Sequence, residues 1–200
     1  FKNLLEIKNL YFSYKNKKVF KNLNFKFNKN DFIGIVGPSG TGKTTLVNLI
    51  TGLLKPHKGK ILCDNYDINQ NIPVWQSLLG YVSQNNLLID DTIAKNIALG
   101  SNETEIDYLL VNKLLEQVGL PNFKSKKNNK FKVGERASKL SGGQIQKILI
   151  ARALYHKPKI LILDESTSNL DLKSENDILK LLKKLNKYIN ILIISHRDNT

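Results

Sequence analysis

The chain has 200 residues, is 41% hydrophobic and carries a net charge of +14, a length that suits one compact domain with a real core and is too short for several. No run approaches the roughly 18 apolar residues of a membrane-spanning helix, and a single cysteine, Cys63, excludes an internal disulfide framework. The basic surplus admits nucleic acid, an anionic lipid surface or a phosphorylated ligand, and charge alone does not choose among them.

Residues 4–27 alternate apolar and polar side chains around a turn-like Lys15-Asn16-Lys17-Lys18, which predicts a pair of antiparallel strands. Residues 32–36 form a short apolar strand, followed at once by Gly37-Pro38-Ser39-Gly40-Thr41-Gly42 and a helical run from Lys43 to about Leu54. Further extended stretches are expected over 60–62 and 80–83, the second ending at Gln84. Residues 85–139 turn helical and polar; 104–118 carries apolar residues at Leu109, Leu110, Leu114, Leu115 and Val118. A helix over 141–155 stopped by Pro158, a strand over 160–163, a helix near 177–188 and a strand over 191–194 complete the pattern. The apolar runs Ile160-Leu161-Ile162-Leu163 and Ile191-Leu192-Ile193-Ile194 suit the middle of a parallel sheet covered on both faces. The expectation is an α/β fold: a mainly parallel central sheet, an N-terminal antiparallel β subdomain and an inserted α-helical subdomain.

Gly37-x-x-x-x-Gly42-Lys43-Thr44 matches the phosphate-loop pattern in full, between a strand and a helix as the motif requires. Glycines let successive backbone N–H groups point inward at phosphates while the helix presents its positive dipole end. Lys43 is placed for the β and γ phosphates, and Thr44 offers a hydroxyl to Mg²⁺, a hard cation that prefers oxygen ligands. Thr45 follows as a further expected contact. The strand over 160–163 leads into Asp164-Glu165, putting two carboxylates at the carboxyl edge of the sheet, where the phosphate loop must also lie. Asp164 suits Mg²⁺ indirectly, and Glu165 can take a proton from a water beyond the γ phosphate. Leu140-Ser141-Gly142-Gly143-Gln144 opens another helix with a serine and two glycines, a second anion-binding terminus.

The order of phosphate loop, Gln84, Leu140-Ser141-Gly142-Gly143-Gln144, the strand ending in Glu165, Ser168-Asn169-Leu170-Asp171 and Ser195-His196 resembles the ATP-binding cassette (ABC) family over essentially the whole chain. That resemblance implies a P-loop NTPase fold and ATP hydrolysis. It implies that Tyr14 stacks on adenine, that Gln84 touches Mg²⁺ and the attacking water, and that His196 contacts the γ phosphate. It further implies that Ser141, Gly142, Gly143 and Gln144 face the nucleotide of a second cassette in a head-to-tail dimer holding two ATP molecules, with Asp171 coupling the two sites. Two stretches are similar to exporters: residues 84–97, and Val133-Gly134-Glu135-Arg136 ahead of the serine-glycine segment. Departures are Ile145 where the family usually has a basic residue, Asn169 where it often has a small one, and the basic stretch of Lys124, Lys126, Lys127, Lys130 and Lys132, read as a solvated face.

The chain begins with Phe1 and stops four residues after His196, so the expectation is a piece of a longer polypeptide with a transmembrane domain upstream, soluble by itself and placed on the cytoplasmic face of the membrane. Its expected division is a nucleotide-binding core, about 1–84 and 156–200, and a helical subdomain, about 85–155. The alternative reading is a nucleic-acid-associated ABC ATPase, because the charge suits phosphate backbones. Too few residues separate Gly42 from Ser141, and no heptad run lies between them, for the long coiled coil of repair members, so no specific nucleic acid is expected.

Overall fold

The computed structural model describes residues 4–15, 17–84, 87–124, 131–165 and 170–195. Strands β1 (Leu4–Tyr14) and β2 (Lys17–Asn28) form the expected hairpin, with Leu5 opposite Phe27 and Tyr14 opposite Lys17. Strict alternation would send Leu5 and Ile7 to one face and Leu10 and Phe12 to the other. All four are buried, because the register shifts after Ile7 and Asn9 takes φ 48°: a bulge inserts one residue and restores the face. Strand β4 (Lys58–Cys63), on the other side of β1, carries Gly59 against this bulge, where a Cβ would lie 2.3 Å from the Asn9 carbonyl oxygen. Strand β5 (Tyr66–Asp67) completes an antiparallel sheet ordered β2-β1-β4-β5.

The second sheet is parallel throughout. It consists of β3 (Phe32–Val36), β6 (Leu79–Val82), β7 (Ile160–Asp164) and β8 (Asn190–Ser195), in the order β3-β8-β7-β6. Every residue of the two central strands, β7 and β8, is buried, as the apolar runs predicted. Their side chains divide by period two: Leu161, Leu163, Ile191 and Ile193 join one apolar cluster, and Ile160, Ile162, Leu192 and Ile194 the other. Fully burying such a side chain is worth about 1.5–3 kcal/mol. The register pairs Val82 with Leu163, Asp164 with Ile194, and Val36 with Ser195. All four strands therefore finish along one edge.

Helix α1 (Lys43–Ile50) follows β3 and packs, with the antiparallel sheet, on one face of the parallel sheet. It is shorter than the expected run to Leu54, because Gly52 turns the chain at φ 75°. Helix α2 (Ile72–Ser77), not foreseen, begins at an Asn71 cap and buries Trp75, whose indole donates to the Ile50 carbonyl at 2.7 Å. Between β6 and β7 lie α3 (Ile93–Ile97), α4 (Tyr108–Gln117) and α5 (Gly142–Tyr155), with α5 packing on both of the others and on β6. Helix α4 does not start at Thr104. Asn102 and Glu105 close a separate 3-10 turn by a capping box, and Asp107 caps α4 through the Leu110 N–H. Its buried stripe is Val111, Leu114, Leu115 and Val118, while Leu109 is 84% exposed, against expectation. Helix α6 (Leu172–Leu185) starts five residues before the expected position, at an Asp171 cap, and buries Ile178, Leu181, Leu182 and Leu185 against the helical face of the sheet.

Candidate functional site

The loop between β3 and α1 is shaped by its glycines and its lysine. Gly40 and Gly42 have φ of 80° and 101°, a region that L side chains rarely adopt. Gly42 is also the cap of α1, and among the described residues no side chain caps that helix, so its first turn is presented to whatever lies in front of it. A Cβ at Gly42 would lie 2.7 Å from Val19 Cγ1 and 3.1 Å from Phe20 Cζ; strand β2 presses directly on the loop. Thr41 Oγ1 donates to the Pro38 carbonyl at 2.9 Å. The Lys43 ammonium, 7% exposed as a residue, donates to the carbonyls of Gly37 at 2.7 Å and Pro38 at 3.0 Å. Gly37, Pro38 and Thr41 thus brace the loop, and the cation is held within its curl.

In front of the loop is a cleft of about 370 Å³, within the range of ligand sites. Ser39, Gly40, Gly42, Lys43, Thr44 and Thr45 form its floor; Tyr14, Lys17 and Val19 form one wall; Gln84 and Glu165 form the other. Nine expected residues from four separate chain segments line this one cavity. Gln84 arrives because it follows β6, and Glu165 because it follows β7. Glu165 has φ 49° and its N–H donates to the Ile194 carbonyl at 3.0 Å. A non-glycine residue so placed stores about 1–3 kcal/mol of backbone strain, a feature that clusters at functional sites.

Asp164, 5% exposed, is not on the cleft wall. Its Oδ2 accepts a hydrogen bond from the Tyr81 hydroxyl at 3.0 Å. Burial first, and then the Asp164 charge, push the Tyr81 phenol well above its ordinary value, so it remains a donor. Ser141 and Gln144 also lie off the cleft. They form a capping box on α5, with the Ser141 N–H donating to Gln144 Oε1 at 2.9 Å and the Gln144 N–H to Ser141 Oγ at 3.3 Å. Gly142 and Gly143 let this turn sit against the start of α6: a Cβ would meet Leu170 Cδ2 at 3.3 Å and Ser174 Oγ at 3.0 Å. Asp171 caps α6, accepting from the Ser174 N–H at 2.9 Å and the Ser174 hydroxyl at 2.7 Å; these bonds hold its carboxyl below the ordinary value. His196, Ser168 and Asn169 lie outside the described residues, as do Lys126, Lys127 and Lys130. At the ends of that basic stretch, the Lys124 ammonium pairs with Glu116 at 2.8 Å, and the backbone of Lys132 forms an isolated antiparallel β-bridge with that of Thr92.

The sequence reading missed several residues around this centre. Tyr81 was legible in principle: it pairs with Ile162 across the ladder, so strand alternation puts it on the face of Asp164, two residues on. Lys17 and Val19 had no signal apart from lying next to Tyr14 in the hairpin. Arg152, near the end of α5, donates to the Asn96 carbonyl at 2.7 Å, to Asn96 Oδ1 at 2.8 Å and to the Leu87 carbonyl at 3.1 Å. It ties the helix that begins with Ser141 to the segment that follows Gln84, and its partners are too distant in sequence for any local pattern to reveal them.

A family model described as ABC transporter matches residues 20–168, which is most of the chain. The chain belongs to the ABC transporter family. The resemblance drawn from the motifs is borne out, and so is the fold: a bacterial Atm1-family ABC exporter, solved with ATP bound, superposes with a TM-score of 0.84 at 32% identity, over 98% of this chain and 35% of that one. A Rickettsia typhi protein named as an export ATP-binding/permease protein is 41% identical over 96% of this chain and 34% of its own length. The α-hemolysin translocation ATP-binding protein HlyB of Escherichia coli O157:H7 is 39% identical over 98% and 28%. This ABC transporter chain thus spans about a third of the length of the relatives it matches. As a family member it is an ATP-binding unit of the ATPase class. Among its described residues no helix is long and apolar enough to cross a membrane.

Proposed function

We propose that this chain hydrolyses ATP to ADP and phosphate and is the motor of an exporter. The observation that carries the reading is the single cleft that joins Tyr14, the phosphate loop, Gln84 and Glu165. Adenine lies against Tyr14, while the phosphates lie over the first turn of α1, gripped by loop N–H groups and by Lys43, which trades its loop carbonyls for phosphate oxygens. Glu165 takes a proton from water as the water oxygen bonds to the γ phosphorus; the bond to the bridging oxygen breaks and ADP leaves. Positioning and charge stabilisation do most of the work in such a transfer. Gln84 orients the water from the facing wall, and His196 approaches the γ phosphate.

The donor set suits Mg²⁺: Thr44 and Gln84 bring neutral oxygens to the cleft, and Asp164 is a nearly fully buried carboxylate behind it. Bound there, the ion would neutralise charge on the phosphates. Ser141, Gly142, Gly143 and Gln144, which lie off their own cleft, face the nucleotide of a second cassette; Asp171 couples the two sites. The dimer is head-to-tail, glued by ATP and loosened by hydrolysis, with the same surface used on both subunits. Exporter and permease names among the relatives support a transmembrane partner fused upstream and, with it, a position on the cytoplasmic face of a membrane. Within it, residues of about 1–84 and 156–200 form the nucleotide-binding core, and about 85–155 the helical subdomain.

Glu165→Gln tests the reading. ATP binding, measured by equilibrium titration, stays near the parent value while turnover falls about 10²- to 10⁴-fold. Hydrolysis at the parent rate would remove Glu165 from the role of base.

A further inference from the structure

Tyr14 is about half exposed and stands at the end of β1, where the ladder to β2 is irregular: the register shifts between Leu10 and Phe12 and again between Phe12 and Ser13. Phe12, Ser13 and Tyr14 still pair with Phe20, Lys18 and Lys17, but two bulges interrupt the ladder between Leu10 and Ser13. A residue from elsewhere in the chain holds this stretch. His57, which follows α1 and precedes β4, engages three consecutive residues of β1. Its backbone N–H donates to the Tyr11 carbonyl at 2.9 Å. Its ring lies parallel to Phe12, with centroids 5.1 Å apart and planes at 6°. Its Nε2 lies 2.9 Å from the Ser13 carbonyl oxygen; a carbonyl can only accept, so this nitrogen carries the proton. Phe12 in turn meets Tyr14 edge to face, at 5.0 Å and 86°. Both ring geometries are favoured for aromatic pairs. The three rings form a continuous chain of contacts from the segment behind the phosphate-loop helix to the wall of the cleft.

We propose that His57 is a positioning residue for nucleotide recognition. Clamped on Tyr11, Phe12 and Ser13, it fixes the ring under Tyr14 and so sets the surface on which the base lies, in register with the helix that receives the phosphates. The proposal rests on the assignment of Tyr14 to the base in the preceding subsection. It acts on the base half of the ligand alone. A triphosphate without a base should not sense it.

The test compares His57→Ala, His57→Phe and Tyr14→Ala for binding of an ATP analogue carrying a fluorophore on its ribose, with inorganic tripolyphosphate as competitor. His57→Ala weakens the nucleotide about two- to tenfold, the range of one aromatic contact, and leaves the inhibition constant of tripolyphosphate unchanged. His57→Phe keeps the ring and stays within about twofold of the parent. Equal weakening of nucleotide and tripolyphosphate means general damage and overturns the proposal. So does a His57→Phe variant as weak as His57→Ala. If Tyr14→Ala weakens the nucleotide while His57→Ala does not, the inference fails and the base assignment stands. If Tyr14→Ala has no effect, both fall.

Discussion

Replacing Gly42 with alanine isolates the way β2 and the phosphate loop shape each other. Two costs add. The backbone at Gly42 has φ 101° and ψ 11°, and holding an L residue there costs about 1–3 kcal/mol. The new methyl group would lie 2.7 Å from Val19 Cγ1 and 3.1 Å from Phe20 Cζ, and overpacking of this kind costs about 1–3 kcal/mol. The sum, about 2–6 kcal/mol, is a large part of a typical domain stability of about 5–15 kcal/mol. With a urea slope of about 2–3 kcal/mol/M, the unfolding midpoint falls by about 0.7–3 M. Adding Val19→Ala to Gly42→Ala returns the Val19 share of the steric part and leaves the backbone part and the Phe20 contact, so the double-mutant cycle isolates the Val19 contact. A Gly42→Ala variant that unfolds at the parent midpoint would refute both the strained conformation and the contact.

Two further outcomes follow from the neighbourhood of the cleft. Tyr81→Phe deletes the hydroxyl that donates to Asp164 and lowers stability at neutral pH by about 1 kcal/mol; an unchanged denaturation midpoint would discard that bond as a contributor. Asp171 has its carboxyl held below the ordinary value by the Ser174 N–H, so its contribution is present above the unfolded-state value of about 4 and is lost as pH falls through the lower folded value. Asparagine caps as well as aspartate, so Asp171→Asn keeps α6 while removing that part of the acid sensitivity. Parallel acid-unfolding curves for the two proteins would show that the cap does not titrate.

What could be read ahead of the structure was whatever is written in consecutive residues. The loop from Gly37 to Thr44 carries its geometry in its own glycines, and the apolar runs ending at Leu163 and Ile194 announce buried parallel strands. Local competition defeated the pattern elsewhere. In α4 the periodicity from Thr104 onward was real, but the Asn102–Glu105 capping box and the Asp107 cap split the segment in two, which left Leu109 in solvent. In α6 the first turn is polar apart from the exposed Leu172, so apolar spacing pointed to a start near Asp177, whereas the Asp171 cap decides it. Contacts across the fold had no local trace. The Arg152 bonds to Asn96 and Leu87 and the stack of His57 on Phe12 join residues that only the tertiary arrangement brings together. The family resemblance supplied roles for Gln84 and Tyr14 that spacing alone did not, and the cleft brings both to the phosphate loop.

The bulge at Asn9 has a consequence for how this strand can change over generations. Leu5 and Ile7 precede it, Leu10 and Phe12 follow it, and all four reach the interior because one additional residue stands between the pairs. Deleting one residue there would turn Leu10 and Phe12 outward together, and Tyr14 with them. The strand thus behaves like a reading frame: side chains along it can be exchanged one at a time, but its length between Ile7 and Leu10 can shift only in steps of two.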